Sequence, residues 1–142
     1  MSGDVFKERS YGTREIGFGK RPGIVVVDYQ LAFTDARFPL GGAPLIERGV
    51  QNTARLLEVA RRANIPVASC FTAYLDERTM PYWKVGAVRD QFLFDHPGSA
   101  MEPRIHDPSY DMVVCKPGPS IFFQTPVVPV SYTHLRAHET KA

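Results

Sequence analysis

Two cysteines in 142 residues are too few for a disulfide framework, and Cys70 and Cys115 lack the paired spacing of a zinc site. Both stand in apolar, strand-like runs, the setting of free buried thiols in a reducing compartment. A net charge of +2 is too small to favour nucleic acid or an anionic membrane surface. No run approaches the ~20 consecutive apolar residues of a membrane span. The opening Met-Ser-Gly-Asp-Val-Phe-Lys-Glu-Arg-Ser lacks the apolar centre of a signal peptide. These absences point to a cytoplasmic protein whose partner is a small molecule, with neither nucleic acid nor membrane. Four histidines complete the scarce set. His96 and His106 lie beside prolines without metal-ligand spacing and read as surface loop residues, so no metal is expected.

What is present suffices for one domain, since 44% of the residues are apolar. Residues 1–22 are polar and read as an arm packed on the surface or on a partner. Within them Gly17-Phe18-Gly19-Lys20 precedes a strand and is followed by no Ser or Thr, so it reads as a turn and not as a phosphate loop. Ile24 to Val27 is a continuous β-branched run, the pattern of a strand buried on both faces of a parallel sheet. From Leu45 to about Ala63, Ile46, Val50, Thr53, Leu57 and Ala60 recur at helical spacing behind Pro44, which suits a first turn. Asn64-Ile65-Pro66 ends this helix, and Val67 to Phe71 forms the second strand of a βαβ unit.

Thr72 to Tyr110 loses periodicity but keeps Tyr74, Tyr82, Trp83, Phe92 and Phe94, the profile of a lid or binding loop with short helices. Met112 to Cys115 reads as a third strand, closed by Lys116-Pro117-Gly118-Pro119, where prolines forbid further ladder pairing. Ser120 to Thr125 reads as a turn or short helix. The expected fold is α/β: a Rossmann-like three-layer α/β/α arrangement on a parallel sheet over residues 23–129, truncated after the third strand. After Val128 the character changes. Val130 to Thr140 resembles the translated read-through of a transposase-type sequencing-library adapter. Residues 130–142 are therefore expected to be a non-native tail, and the helical metal-ligand spacing of His134 and His138 an accident of adapter codons.

In a parallel sheet Asp28 and Lys116 both fall at carboxyl ends of strands, the edge where such folds place their sites. A carboxylate there can take a proton and a cation can stabilise developing charge. An aspartate at a strand end is also a common turn residue, and a lysine a common solvated end. The residues alone leave both readings open.

The stretch from Phe18 through Ile24-Val25-Val26-Val27-Asp28-Tyr29-Gln30-Leu31-Ala32-Phe33 to Asp35 resembles the opening of the isochorismatase-like cysteine hydrolases. Val114-Cys115-Lys116-Pro117-Gly118-Pro119-Ser120-Ile121-Phe122-Phe123-Gln124-Thr125-Pro126 resembles their lysine block. Within the family the chain is most similar to N-carbamoylsarcosine amidohydrolases, from about Gly17 to about Val128. The resemblance implies hydrolysis of C–N bonds in small amides or carbamoyl compounds by a Cys-Asp-Lys mechanism without a cofactor. Asp28 would be the general base and Lys116 its cationic partner. Gln30 and Phe33, in the family's Asp-x-Gln-x-x-Phe pattern, would bind substrate, as would Trp83, set between Tyr82 and Lys84 in an aromatic loop. The full-length parent would be a homo-oligomer.

The family's nucleophilic cysteine opens the helix after a fourth strand, beside an oxyanion hole, and this sequence has no counterpart. Cys115 should face away from its neighbour Lys116, and Cys70 should pack in the core. The chain as written is therefore expected to be inactive, and marginally stable with an open β-branched edge. Nicotinamidase chemistry is disfavoured, since Tyr74-Leu75-Asp76-Glu77-Arg78-Thr79 lacks the Asp-x-His metal motif. Maleamate or isochorismate hydrolysis and a non-catalytic binding or assembly module stay as alternatives. A nucleotide-binding domain would need a Gly-rich turn where Asp28-Tyr29-Gln30-Leu31 stands.

Overall fold

The computed structural model describes residues 21–131. Strand β1 spans Ile24–Val27, β2 Val67–Phe71 and β3 Met112–Cys115. They form a parallel sheet in the order β1-β2-β3, with Val26 opposite Ser69 and Cys70 opposite Val114. Helix α1 is the short Leu31–Thr34, α2 is Pro44–Arg62, α3 is Gly86–Gln91 and α4 is Val127–Ser131. Helices flank both faces of the sheet, the expected α/β arrangement.

Helix α2 forms where the apolar spacing predicts, with Pro44 in the first turn. Its buried stripe is Val50, Leu57 and Ala60. It stops in a Schellman motif: Asn64 takes φ 56°, Ile65 N–H donates to Ala60 O, and Asn64 N–H donates to Arg61 O. Asparagine tolerates this left-handed conformation better than most side chains. Against the sheet, Val50 and Leu57 pack on Val26, Val67 and Ile105. On the opposite face Ile121 and Val127 pack on Cys70, Val114 and Met112.

The cover is thus diagonal, α2 over β1 and β2, α4 over β2 and β3. This corrects the expectation that Ile24 to Val27 is buried on both faces: Val26 is 5% exposed, but Val25 is 44% and Val27 42% exposed. The five-residue α4 does not reach across to β1. Beside it Val25, Ala68, Met112, Val127 and Val130 line an apolar groove of about 430 Å³. Residues 1–20 of the expected arm, and the tail beyond Ser131 with His134 and His138, lie outside the described residues. Val130 and Ser131, the first two positions assigned to that tail, stand in α4.

The long connection builds a third cluster of its own. Ala32, Tyr74 and Phe92 are buried together, with Phe33, Trp83 and Val88 packed around them. Its order comes from aromatic packing and 3₁₀ turns at Glu77–Thr79 and Pro97–Ser99, neither of which leaves a periodic signature. Among the described residues no helix is long and apolar enough to cross a membrane.

At the amino end of the sheet, the fully buried Asp111 carboxylate receives the Arg61 guanidinium at 2.7 Å. It also accepts from Asp107 N–H and from the Ser69 hydroxyl. Arg61 donates besides to Ile105 O, so one pair ties the end of α2 to the approach of β3. Removing one partner of such a pair strands a buried charge. Arg61→Met should therefore lower unfolding free energy by about 3–5 kcal/mol, read from urea curves. Glu58→Gln, at the exposed Glu58–Arg62 pair, should change it by less than ~1 kcal/mol.

A second network joins Arg104 to Glu102 and to Glu47 of α2. Hydrogen bonds from Arg104 hold the Glu102 carboxyl below its ordinary 4.5, against the opposing effect of burial. Its contribution to stability is then complete above pH 4.5 and lost as pH falls through the lowered value. Thermal melts across acid pH should show this limb in the unchanged chain and a smaller one in Glu102→Gln.

Candidate active site

Asp28 leaves β1 with φ 59°, a left-handed conformation that aspartate tolerates where β-branched residues do not. Its N–H donates to Cys70 O, and its carbonyl accepts from Gln30 N–H. The turn sets its side chain at the carboxyl edge of the sheet. Lys116 N–H donates to Phe71 O, which carries the β2–β3 pairing one residue past the strand. The Lys116 side chain is 2% exposed, and its Nζ lies 3.1 Å from Asp28 Oδ1.

The aligned hydrogen bond of that ammonium goes instead to Gly118 O, at 3.0 Å. Asp28 Oδ1 is buried without an aligned donor, so the Asp28–Lys116 contact is an ion pair whose carboxylate keeps acceptor capacity. Asp28, Lys116, Phe33, Thr72, Trp83 and Phe92 line one cavity of about 190 Å³. Phe33 and Phe92 rings lie 5.3 Å apart.

Four of the five residues expected at the site, Asp28, Lys116, Phe33 and Trp83, therefore converge. Gln30 does not reach the cavity, which corrects its expected contact with substrate. It is wholly buried, donates to Thr72 O and Ser99 O, and accepts from Thr72 N–H. With both amide hydrogens and the carbonyl engaged, it braces the cavity from behind. Tyr82, 87% exposed, is not part of the cavity wall. Trp83 donates its indole N–H to the Tyr74 hydroxyl, which donates to Pro117 O. Thr72 was not singled out from sequence and was signalled only by its position just past β2, while Tyr74 stood out only as one of the aromatics of the long connection, with no role of its own.

Neither cysteine lines the cavity. Cys70 is buried beneath Asp28, and burial pushes its thiol above the ordinary value, the state of an unreactive structural thiol. Cys115 is exposed, which corrects the expectation that both thiols are buried, and its Sγ lies 3.6 Å from Ala73 O. Asp76 caps the Glu77–Thr79 turn, accepting from Arg78 N–H and Thr79 N–H. Among the described residues no group of three His, Cys, Asp or Glu is placed to hold a metal. His96 and His106, expected as surface loop residues, are each half-buried in loops. His96 Nδ1 accepts from Gly98 N–H, and His106 lies 3.5 Å from Asp111.

The family described as Isochorismatase domain matches residues 22–130. The fold matches the N-carbamoylsarcosine amidase of Thermoplasma acidophilum with a TM-score of 0.63 and 22% identity, covering 81% of this chain and 62% of that one. A cysteine hydrolase from Pseudomonas syringae pv. phaseolicola superposes with a TM-score of 0.71 at 22% identity, covering 78% and 53%. An isochorismatase family protein from Desulfovibrio vulgaris gives 0.64 at 19%, covering 78% and 60%. The chain thus spans between 53% and 62% of the length of these structures. No match was found among curated proteins.

The two halves of the ion pair differ in their access to water. Asp28 is 34% exposed and can hydrate if its partner is removed, whereas Lys116 is 2% exposed and cannot. Asp28→Asn should therefore destabilise by about 3 kcal/mol or more, and Lys116→Met by less than half as much, in urea unfolding. Asparagine accepts the left-handed backbone equally well, so the difference reports the stranded ammonium.

Proposed function

Because the chain belongs to the isochorismatase-like hydrolase family, we propose that it carries the base and the cation of a cysteine-dependent C–N hydrolase. The substrate is a small amide or carbamoyl compound, N-carbamoylsarcosine among them. The observation that carries this reading is the buried Lys116 ammonium, 3.1 Å from Asp28 Oδ1, in the wall of a cavity with aromatic sides. A structural pair gains nothing from opening onto a cavity. A catalytic pair requires it.

In the proposed reaction Asp28 takes the proton of a cysteine thiol as its sulfur bonds to the substrate carbonyl carbon. The Lys116 ammonium offsets the negative charge of that step. The proton passes from Asp28 to the departing nitrogen as the C–N bond breaks. Water then hydrolyses the thioester of an amide substrate, or the thiocarbamate of a carbamoyl one, restoring the free thiol. The thiol belongs to a cysteine other than Cys70 and Cys115. The 142-residue chain by itself is accordingly inactive in this reading. Free thiols at Cys70 and Cys115 suit a reducing, cytoplasmic setting, and a homo-oligomeric parent is part of the same proposal. The lack of a thiol in the cavity favours one alternative, a module that binds such a compound without turning it over.

The test is ammonia release from N-carbamoylsarcosine and simple amides. It compares the chain as written with one extended along the source reading frame past the codon for Val128. The first should release none and the second should turn over. In the extended chain Asp28→Asn should lower kcat/KM by about 100-fold or more. Binding without turnover in the extended chain would favour the module instead.

A further inference from the structure

The turn that follows β3 has few means of support. Pro117 and Pro119 have no N–H to give, and no backbone–backbone hydrogen bond among the described residues involves positions 117–119. Gly118 is buried, yet a Cβ on it would meet nothing within 4 Å, so no close side-chain contact braces that point of the turn. Yet Gly118 O is the acceptor that aims the Lys116 ammonium, at 3.0 Å. Among the described residues, one side chain from elsewhere in the chain donates to this turn: the Tyr74 hydroxyl, 3.1 Å from Pro117 O.

Tyr74 is well suited to hold something still. It is 4% exposed, its ring is packed with Ala32 and Phe92, and its backbone bonds to Phe92 O and Phe94 N–H. Burial raises its phenol above the ordinary value, so the hydroxyl remains a donor. The same oxygen accepts the Trp83 indole N–H at 3.1 Å. Trp83 and Lys116 both line one cavity, and this hydroxyl links the indole to the turn that follows Lys116.

We propose that Tyr74 is a positioning residue of the Asp28–Lys116 site, fixing the turn that aims Lys116 and tying the Trp83 wall to that turn. Its bearing on catalysis rests on the hydrolase reading above, but the coupling it predicts does not. Tyr74 itself touches no reacting atom. Its hydroxyl acts through Pro117 and Gly118 on the lysine, and through the indole on the cavity wall.

Trp83 is the one tryptophan of the chain, so its fluorescence and its indole N–H resonance report this loop alone. In the full chain, Tyr74→Phe should raise acrylamide quenching of Trp83 about twofold or more while far-UV circular dichroism is retained. Lys116→Met should raise it when Tyr74 is intact and add nothing when combined with Tyr74→Phe. Unchanged quenching, or two effects that simply add, would overturn the proposal. Should Tyr74→Phe not fold, hydrogen exchange of the indole N–H decides. Lys116→Met, with Tyr74 intact, should speed it about threefold or more, and an unchanged rate would overturn the coupling.

None of these readouts requires turnover. Coupling without amide hydrolysis in an extended chain would sink the hydrolase reading and leave the role of Tyr74 standing. In an active extended chain, Tyr74→Phe should lower kcat about tenfold with KM nearly unchanged, the cost of a misaimed lysine. Turnover with an unaltered kcat would uphold the hydrolase and overturn the positioning role.

Discussion

An ammonium group withdrawn from water is costly unless charge and hydrogen bonds replace its hydration, and Lys116 is such a group. Its replacements are one carboxylate, Asp28, and one carbonyl, Gly118. The surrounding architecture keeps both in reach. The parallel pairing of β2 and β3 delivers Lys116 to the carboxyl edge through Phe71 O, while the left-handed turn at Asp28 brings the carboxylate across from β1. Gln30 then locks the turn after β1 to the end of β2 and to the loop at Ser99.

The sheet carries a buried ion pair at each end, with opposite uses of the same physics. At the amino end, Asp111 is fully enclosed, meets Arg61 in a fork of hydrogen bonds and has backbone and hydroxyl donors besides. Such a pair is saturated and joins helix to strand. At the carboxyl end the carboxylate is one-third exposed, has an oxygen without an aligned donor and borders a cavity. Spare acceptor capacity beside a desolvated cation is poor structural economy. In the proposed hydrolase it would serve proton transfer.

The fold was largely legible because its elements are local and periodic. The β-branched run at Ile24 to Val27, the 3.6-residue spacing from Val50 to Ala60 and the proline stop after Lys116 each name their own element. The long connection was not, because its order comes from aromatic side chains that meet across distant positions, as Ala32, Tyr74 and Phe92 do. The exposure of Val25 and Val27 was equally hidden. Burial of a strand depends on how far the covering helix reaches, which composition does not record.

By itself the sequence determined that a strand-end aspartate and a strand-end lysine would share the carboxyl edge of one parallel sheet, since strand direction is set by the βαβ connection. It also determined that Cys115 and Lys116 would part company, because neighbours in a strand alternate faces. Only the tertiary structure decided that Gln30 supports the cavity from behind, that Trp83 faces it while Tyr82 does not, and that Tyr74 links the indole to the lysine turn. These depend on side-chain directions in an aperiodic loop. Such directions follow from packing and hydrogen bonds between residues far apart in the chain, and no local pattern encodes them.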